Sequence, residues 1–489
     1  MRQNFITLLG MKRWAVIAFL TFNLCFLSTE AFAHKNIIND LNSPLDTYCK
    51  DCDTAKADVD MEIIEHFKEE PVFVSLDECI GVALLNNFNI KVSNSDYVSA
   101  KWDYRNALAQ FLPEVNFEGY SIYYNGQVLV GGVVPDHVEE LALSGTLRVA
   151  HDLTQGGAQI FEAKARKFKV RANLNRLDFT KDEAILETAR DYYELLRAKI
   201  SIEIHLKNLY ERTAQLKLTQ TLMEAGLGTR FDVVRSKGEQ ALAEQNFMVA
   251  LNNFRTAQAK LANIMGIEVN SHLFPIEIEV KPFILVDEKL STDELFKIAE
   301  FSRDDVKALK AEIKTLKQQK YKVYTDFVPK PRIVYQGQFQ GTARAGVYSN
   351  NVLGAYLDVP IGSRLGVGTV TKANSIQGQI DSISYKLEVL LRNIKENLIS
   401  NYWKAQILKE RIEIAKKQVE YASDSVTLAE LRLDAGEGIL IDVIQAQTIK
   451  NNARIELLST IVDYNINQIQ LLYDNGTISY ENIVINYKP

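Results

Sequence analysis

One stretch of the sequence, residues 156–225, contains no proline, and after Gly156 and Gly157 it contains no glycine. As a helix it would extend roughly 100 Å, far beyond the usual globular helix of about 11 residues. Within it, apolar residues recur every seven positions, at Leu195, Ile202, Leu209, Leu216 and Met223. This spacing predicts a long helix whose coiled-coil seam needs partners along its length.

A second copy of this pattern follows 210 residues later. Apolar residues stand in the same heptad phase at Ala405, Ile412, Val419, Val426 and Leu433. Near the start of each copy the shift is 216 residues, which carries Ser75-Leu76-Asp77-Glu78 onto Ser291-Thr292-Asp293-Glu294 and Phe111-Leu112-Pro113 onto Phe327-Val328-Pro329. The sequence therefore predicts an internal two-fold repeat.

Each copy is predicted to contain a helix, a β-hairpin, a long helix and a returning helix. The serine before acidic residues is an N-cap signal, and the proline ends the first helix. We expect helices over 77–110, 230–265, 293–326, 367–433 and 439–473, in addition to the one described above. Two helices of about 35 residues, placed end to end, would match one long helix.

Between each proline and the next long helix, the apolar period changes to two. The clearest example has Leu141, Leu143, Leu147 and Val149 alternating with Ala142, Ser144, Thr146 and Arg148. This pattern over about ten residues is typical of a membrane barrel strand, with lipid outside and water inside. The alternative is a half-buried hairpin in a soluble domain. Four strands per chain are too few to close a barrel, so closure requires several copies, and we favour three.

The first residues read as a secretory signal. Lys12 and Arg13 precede an apolar run, and Ala31-Phe32-Ala33 is a cleavage site. A retained membrane anchor is the alternative, but the run is short for a span. The export signal and the duplication favour the barrel interpretation of the hairpins.

Composition narrows the function classes. The net charge of -6 argues against a nucleic-acid partner. Cys49 and Cys52 form a C-x-x-C pair that could be a disulfide in an exported protein, and a redox or metal site is the weaker alternative. We find no nucleophile–base set and no phosphate loop, so we predict neither an enzyme nor a bound cofactor.

With the repeat and the proline stops in place, two turn motifs complete a family resemblance. They are Ala225-Gly-Leu-Gly-Thr-Arg-Phe-Asp-Val-Val and Ala435-Gly-Glu-Gly-Ile-Leu-Ile-Asp-Val-Ile. Over about residues 71–480 the sequence resembles the TolC-like outer membrane factor family, also called the outer membrane efflux protein family. The resemblance implies a mixed α and β membrane protein: a homotrimer whose 12-stranded outer-membrane β-barrel, four strands per chain, continues into a long periplasmic α-helical barrel.

The family resemblance also implies a function and partners. The chain is expected to be an exit duct in the outer membrane of a Gram-negative bacterium, with a large periplasmic part, serving drug efflux or type I secretion. A periplasmic adaptor and an inner-membrane transporter are the expected partners. The alternative from a different class is a soluble periplasmic coiled-coil scaffold. We expect a signal peptide (1–33), a polar extension (34–70), repeat 1 (71–266), a linker (267–290), repeat 2 (291–476) and a tail (477–489).

The two turns are the candidate sites. The resemblance assigns the periplasmic entrance to Asp442, with Gln445, Asp232 and Arg230 as further candidates, and the simpler interpretation of both aspartates is helix capping. The latch tyrosine and arginine of some members are replaced by Leu433 and Gly438. Adaptor contact is expected at Gly226, Leu227, Gly228, Thr229, Gly436, Gly438, Ile439 and Leu440. Gly226 and Gly436 are expected to end their helices with a positive φ.

Overall fold

The structure is a computed structural model that describes residues 71–486, except 131–133, 154, 227, 278, 288, 343–345, 361 and 436. These residues belong to one compact unit, Glu70–Pro489. The signal peptide, the 34–70 extension and the Cys49–Cys52 pair lie outside the described residues and stay predictions.

The elements follow the predicted order. The first half contains β1 (Val72–Val74), α1 (Leu76–Asn86), α2 (Phe88–Ala109), β2 (Glu114–Val130), β3 (Val134–Asp152), α3 (Ala158–Glu224) and α4 (Arg230–Met265). The second contains β4 (Leu273–Pro275), α5 (Thr292–Ser302), α6 (Asp304–Tyr324), β5 (Lys330–Thr342), β6 (Gly346–Asp358), α7 (Val367–Asp434), α8 (Leu440–Asp474) and α9 (Tyr480–Asn486). The parallel β1–β4 pair and α9 were not predicted.

Two very long helices organise the molecule. Helix α3 has 67 residues and α7 has 68. Of the predicted heptad residues, Leu195, Ile202, Ala405, Ile412 and Val426 are buried, but those nearest the turns are partly buried and Met223 is exposed, so the seam is confirmed only in part. Helix α3 contacts α2, α4, α6 and α8, whereas α7 contacts α5, α6 and α8. Helix α7 and the α2/α4 column are therefore the outermost members of the described helices. None of these helices combines the length and apolar character required to cross a membrane.

The single helix expected over 77–110 is wrong, because the chain forms two helices that meet at Asn87. The Asn87 side-chain oxygen accepts hydrogen bonds from the first amides of α2, and its Nδ2 donates to the Ile264 carbonyl at 2.8 Å. Gly266, which ends α4 with a φ of +68°, approaches so closely that a Cβ there would lie 2.5 Å from the Asn86 carbonyl oxygen. The end of α4 therefore abuts the break, so α4 stacks end to end on α2 and not on a single helix over 77–110.

The helix expected over 293–326 is also wrong, and it breaks at Arg303. The Arg303 guanidinium is buried, pairs with Asp305 at 2.7 Å and donates to the carbonyls of Tyr473 and Asp474 at the end of α8. Burial acts to lower the pKa of this guanidinium, but the contact with Asp305 outweighs it, so the pKa is raised. Arg303 thus binds the end of α8 at a helix break, as Asn87 binds the end of α4.

Four antiparallel strands form one sheet in the order β2-β3-β5-β6. The register places Leu147 beside Phe117 and Gly337, and it places Arg148 beside Asn116 and Gln336. Apolar residues thus share one face, including Val115, Phe117, Leu143, Leu147, Ile333, Tyr335, Leu353 and Leu357, and polar ones share the other, including Glu118, Thr146, Arg148, Gln336, Gln338 and Asn350. The predicted alternation is confirmed, and the strands, of 13 to 19 residues, are longer than expected.

Candidate functional site at the two helical turns

The first turn joins α3 to α4. Gly226 has a φ of +74°, so the predicted left-handed conformation after the helix is confirmed. The Gly228 amide then donates to the Leu222 carbonyl at 3.0 Å, which folds the turn back on the last turn of α3. Leu227 lies outside the described residues.

Asp232 caps the helix that leaves this turn. Thr229 is the N-cap, and its hydroxyl accepts from the Asp232 amide at 3.3 Å. The Asp232 carboxylate in turn accepts from the Thr229 hydroxyl at 2.6 Å and from the Thr229 amide at 3.1 Å. The Thr229 hydroxyl is the main cause that lowers the pKa of Asp232. The capping interpretation of Asp232 is therefore confirmed, and its carboxylate is engaged locally.

The second turn joins α7 to α8 and has a different cap. The amides of Glu437 and Gly438 both donate to the Arg432 carbonyl, at 3.0 and 2.8 Å. Ile439 stands at the N-cap and has no hydroxyl or carboxylate to offer the first amides of α8. Gly436 lies outside the described residues, as does the placement of the Leu440 side chain.

Asp442 is exposed in the first turn of α8. Its amide donates to the Ile439 carbonyl at 3.0 Å, but no described residue hydrogen-bonds to its carboxylate. Capping by the Asp442 side chain is therefore not observed, and the charge is available to solvent and to the positive end of the helix. Gln445 is exposed one turn further along α8, while Val443 and Ile444 between them are buried.

A groove of about 360 Å³ adjoins Asp442, lined otherwise by α7 residues that include Tyr421, Asp424 and Arg432. The sequence analysis did not identify Asp424 or Arg432, because only the α7–α8 packing brings them beside Asp442. Arg230, a further candidate for the entrance, is exposed at the start of α4, and no described residue forms an ion pair with it.

Among the described residues, no group of three or more His, Cys, Asp or Glu side chains is arranged to hold a metal ion. What the turns offer is an exposed acidic residue, an exposed amide and a groove, which can attract cations or receive another helix.

Comparison with known proteins shows similarity to a family of outer membrane proteins. The family model for the outer membrane efflux protein matches residues 79–267. The outer membrane protein TolC of Escherichia coli K12 is 22% identical over 424 residues, which cover 82% of each chain.

Solved structures have the same fold. The CmeC outer membrane channel of Campylobacter jejuni superimposes with a TM-score of 0.72 at 13% identity, covering 84% of this chain and 89% of CmeC. The outer membrane protein VceC of Vibrio cholerae gives 0.70 at 17% identity, covering 82% and 96%. In its fold, its paired turns and its matched segment, the chain is thus similar to the outer membrane efflux protein family.

Proposed function

We propose that the protein is an efflux exit duct in the outer membrane of a Gram-negative bacterium, with a large periplasmic part, and that it is a conduit and not an enzyme. The observation that carries the proposal is the sheet, which has one apolar and one polar face and is joined directly to helices roughly 100 Å long. A sheet of this kind suits lipid on one side and water on the other. TolC, the relative named above, is itself an outer membrane protein.

The duct is proposed to be a homotrimer. Strands β2 and β6 are the two edges of the sheet, and a sheet in lipid cannot leave its edges unpaired. Three copies supply 12 strands, and two would supply eight with a filled interior. The two halves of each chain are proposed to be copies of one module, which would place the strands and helices of a trimer at six similar positions.

Exposed apolar stripes on the outermost helices support the association of copies. On α7, Ile407, Ile414, Tyr421 and Leu428 recur every seven residues and are all exposed. On α4, which belongs to the opposite outer column, the exposed residues Phe231, Val234, Leu242 and Val249 follow one face. Helix α7 runs toward the turns and α4 runs away from them, so the two stripes can pack as an antiparallel pair between neighbouring copies.

Asp442 is proposed to form an acidic ring at the periplasmic entrance, with Gln445 one turn further on. Three copies would present three carboxylates to one axis, and such a ring attracts cations. Asp232 and Arg230 are proposed to contribute less to the entrance, because the Asp232 carboxylate is already hydrogen-bonded to Thr229.

The exposed parts of both turns are proposed to receive a periplasmic adaptor that links the duct to an inner-membrane transporter. The candidate contacts are Gly226, Leu227, Gly228, Thr229, Gly436, Gly438, Ile439 and Leu440. Small residues at these positions let another helical hairpin approach closely. Drug efflux and type I secretion both use such an arrangement, and the choice between them stays a prediction.

The test is single-channel conductance of the mature protein in a planar bilayer, with di- or trivalent cations added to one side at a time. Stable openings that are blocked from only one side support a duct with an acidic entrance. A coiled-coil scaffold, the alternative, gives no openings and is released from membranes by carbonate or urea, and that result would refute the proposal.

A further inference from the structure

A buried arginine joins α3 to the first turns of α8. Arg212 lies on α3 and is 3% exposed. Its Nη2 donates to the Ile444 carbonyl at 3.3 Å and to the Thr448 hydroxyl at 3.0 Å, both on α8. Its Nη1 donates to Gln215 on α3 at 3.1 Å. All three acceptors are neutral.

Burying the Arg212 guanidinium away from water costs free energy, and its hydrogen bonds offset part of that cost. Burial lowers the pKa of Arg212, and the charges of Glu239 and Glu211 act in the opposite direction. A buried guanidinium deprived of its acceptors cannot recover them from water. The two hydrogen bonds to α8 therefore link its first turns to α3 while the guanidinium stays buried.

The corresponding position in the second half and the α3–α4 seam contain no buried arginine of this kind among the described residues. Ala422 on α7 corresponds to Arg212 and is buried without polar atoms in its side chain. Where α4 packs beside α3, most buried α4 residues are apolar, including Ala243, Phe247, Leu251 and Phe254, and Gln240 of α4 donates to the Thr213 hydroxyl of α3 at 3.1 Å. The arginine is thus particular to α8, and Asn451 of α8 adds a bond to Asn208 of α3 at 2.9 Å, one turn from Arg212.

The acceptors lie beside the proposed entrance. Ile444 is two residues after Asp442, and Thr448, whose hydroxyl also donates to the Ile444 carbonyl at 2.8 Å, is one turn further. We propose that Arg212 is the positioning residue of the entrance: by binding the second turn of α8 to α3, it fixes where Asp442 and Gln445 stand. This inference rests on the proposed function.

The experiment compares single channels of the full mature protein, with Gd³⁺ as the blocking cation on the side that faces the turns. Arg212→Met keeps a long apolar side chain and removes the donors, and we expect the half-blocking Gd³⁺ concentration to rise roughly tenfold. Arg212→Lys, which keeps the charge, and Thr448→Val, which removes one acceptor, are expected to give about threefold increases. Lys217→Met is the matched control, because Lys217 is an exposed cation on the same helix.

A purely structural role would lower the unfolding temperature without changing block in the channels that do assemble. Asp442→Asn is measured in parallel. If Asp442→Asn removes block while Arg212→Met and Thr448→Val leave it at the control value, the positioning role is refuted and the entrance stands. If Asp442→Asn itself leaves block unchanged, the entrance assignment fails, and the role of Arg212 fails with it. Should Arg212→Met not assemble, Thr448→Val alone decides between these results.

Discussion

The two turns place an aspartate at the same point, three residues after the N-cap, yet the two carboxylates have different surroundings. At the first turn the N-cap is Thr229, and Asp232 completes a reciprocal pair of hydrogen bonds with it. At the second turn the N-cap is Ile439, and Asp442 has no such partner. The N-cap side chain, three residues before each aspartate, therefore decides its role. With Thr229, Asp232 stabilises its own helix; with Ile439, the charge of Asp442 stays free to interact with solutes.

The largest expected effect on cation block comes from neutralising Asp442, compared with neutralising Asp232. Asp442→Asn should raise the half-blocking concentration of a trivalent cation by at least tenfold, because three charges leave one axis. Asp232→Asn should change it less than about twofold, because that carboxylate is held by Thr229. Single-channel block measures both. Equal effects of the two variants on block would contradict the proposed difference between Asp442 and Asp232.

A smaller effect should follow from making the second turn resemble the first. Ile439→Thr supplies the missing hydroxyl, and the Asp442 carboxylate is then expected to turn back toward the N-cap, as at the first turn. We expect about threefold weaker block and a helix start stabilised by about 1 kcal/mol. Ile439→Val, with similar shape and no hydroxyl, is the control, and an identical response from both would contradict the mechanism.

The smallest effect concerns stability alone and depends on pH. Thr229→Val should destabilise the start of α4 by about 1 kcal/mol at neutral pH, seen as faster amide hydrogen exchange in its first turn. The pKa of Asp232 is lowered by Thr229, so this contribution is full above the unfolded pKa of about 4 and is lost as pH falls through the lower folded value. The difference between wild type and variant should therefore shrink below about pH 4. A difference that is constant down to pH 2 would show that the carboxylate takes no part.

Much of the fold could be predicted because its signals are local. The heptads of α3 and α7, the prolines before β2 and β5, and the alternation in the strands each follow from neighbouring residues. The contrast between the turns was also present in the sequence, since Thr229-x-x-Asp232 is a capping-box pattern and Ile439-x-x-Asp442 is not. Its importance became apparent only when the hydrogen bonds could be compared.

The helix breaks at Asn87 and Arg303 could not be predicted in this way. Each depends on the end of another helix, about 170 residues away in sequence, whose carbonyls accept from the side chain at the break. Arg212 is similar, because a polar residue on a long helix is expected to be solvated unless the neighbour that buries it is known. Tertiary contacts, and not local preference, decide these positions.

The unbroken course of α3 has a consequence for how the length of such a protein can change. Inserting or deleting one residue in α3 would rotate everything beyond it by about 100°, turning the seam away from its partners over tens of ångströms. Changes of about seven, eleven or eighteen residues preserve the phase. The α2/α4 column is interrupted at Asn87 and Gly266, so a change in one half need not disturb the other. Length variation among relatives should therefore collect at these interruptions, and changes in the continuous helices should come in lengths that preserve the phase.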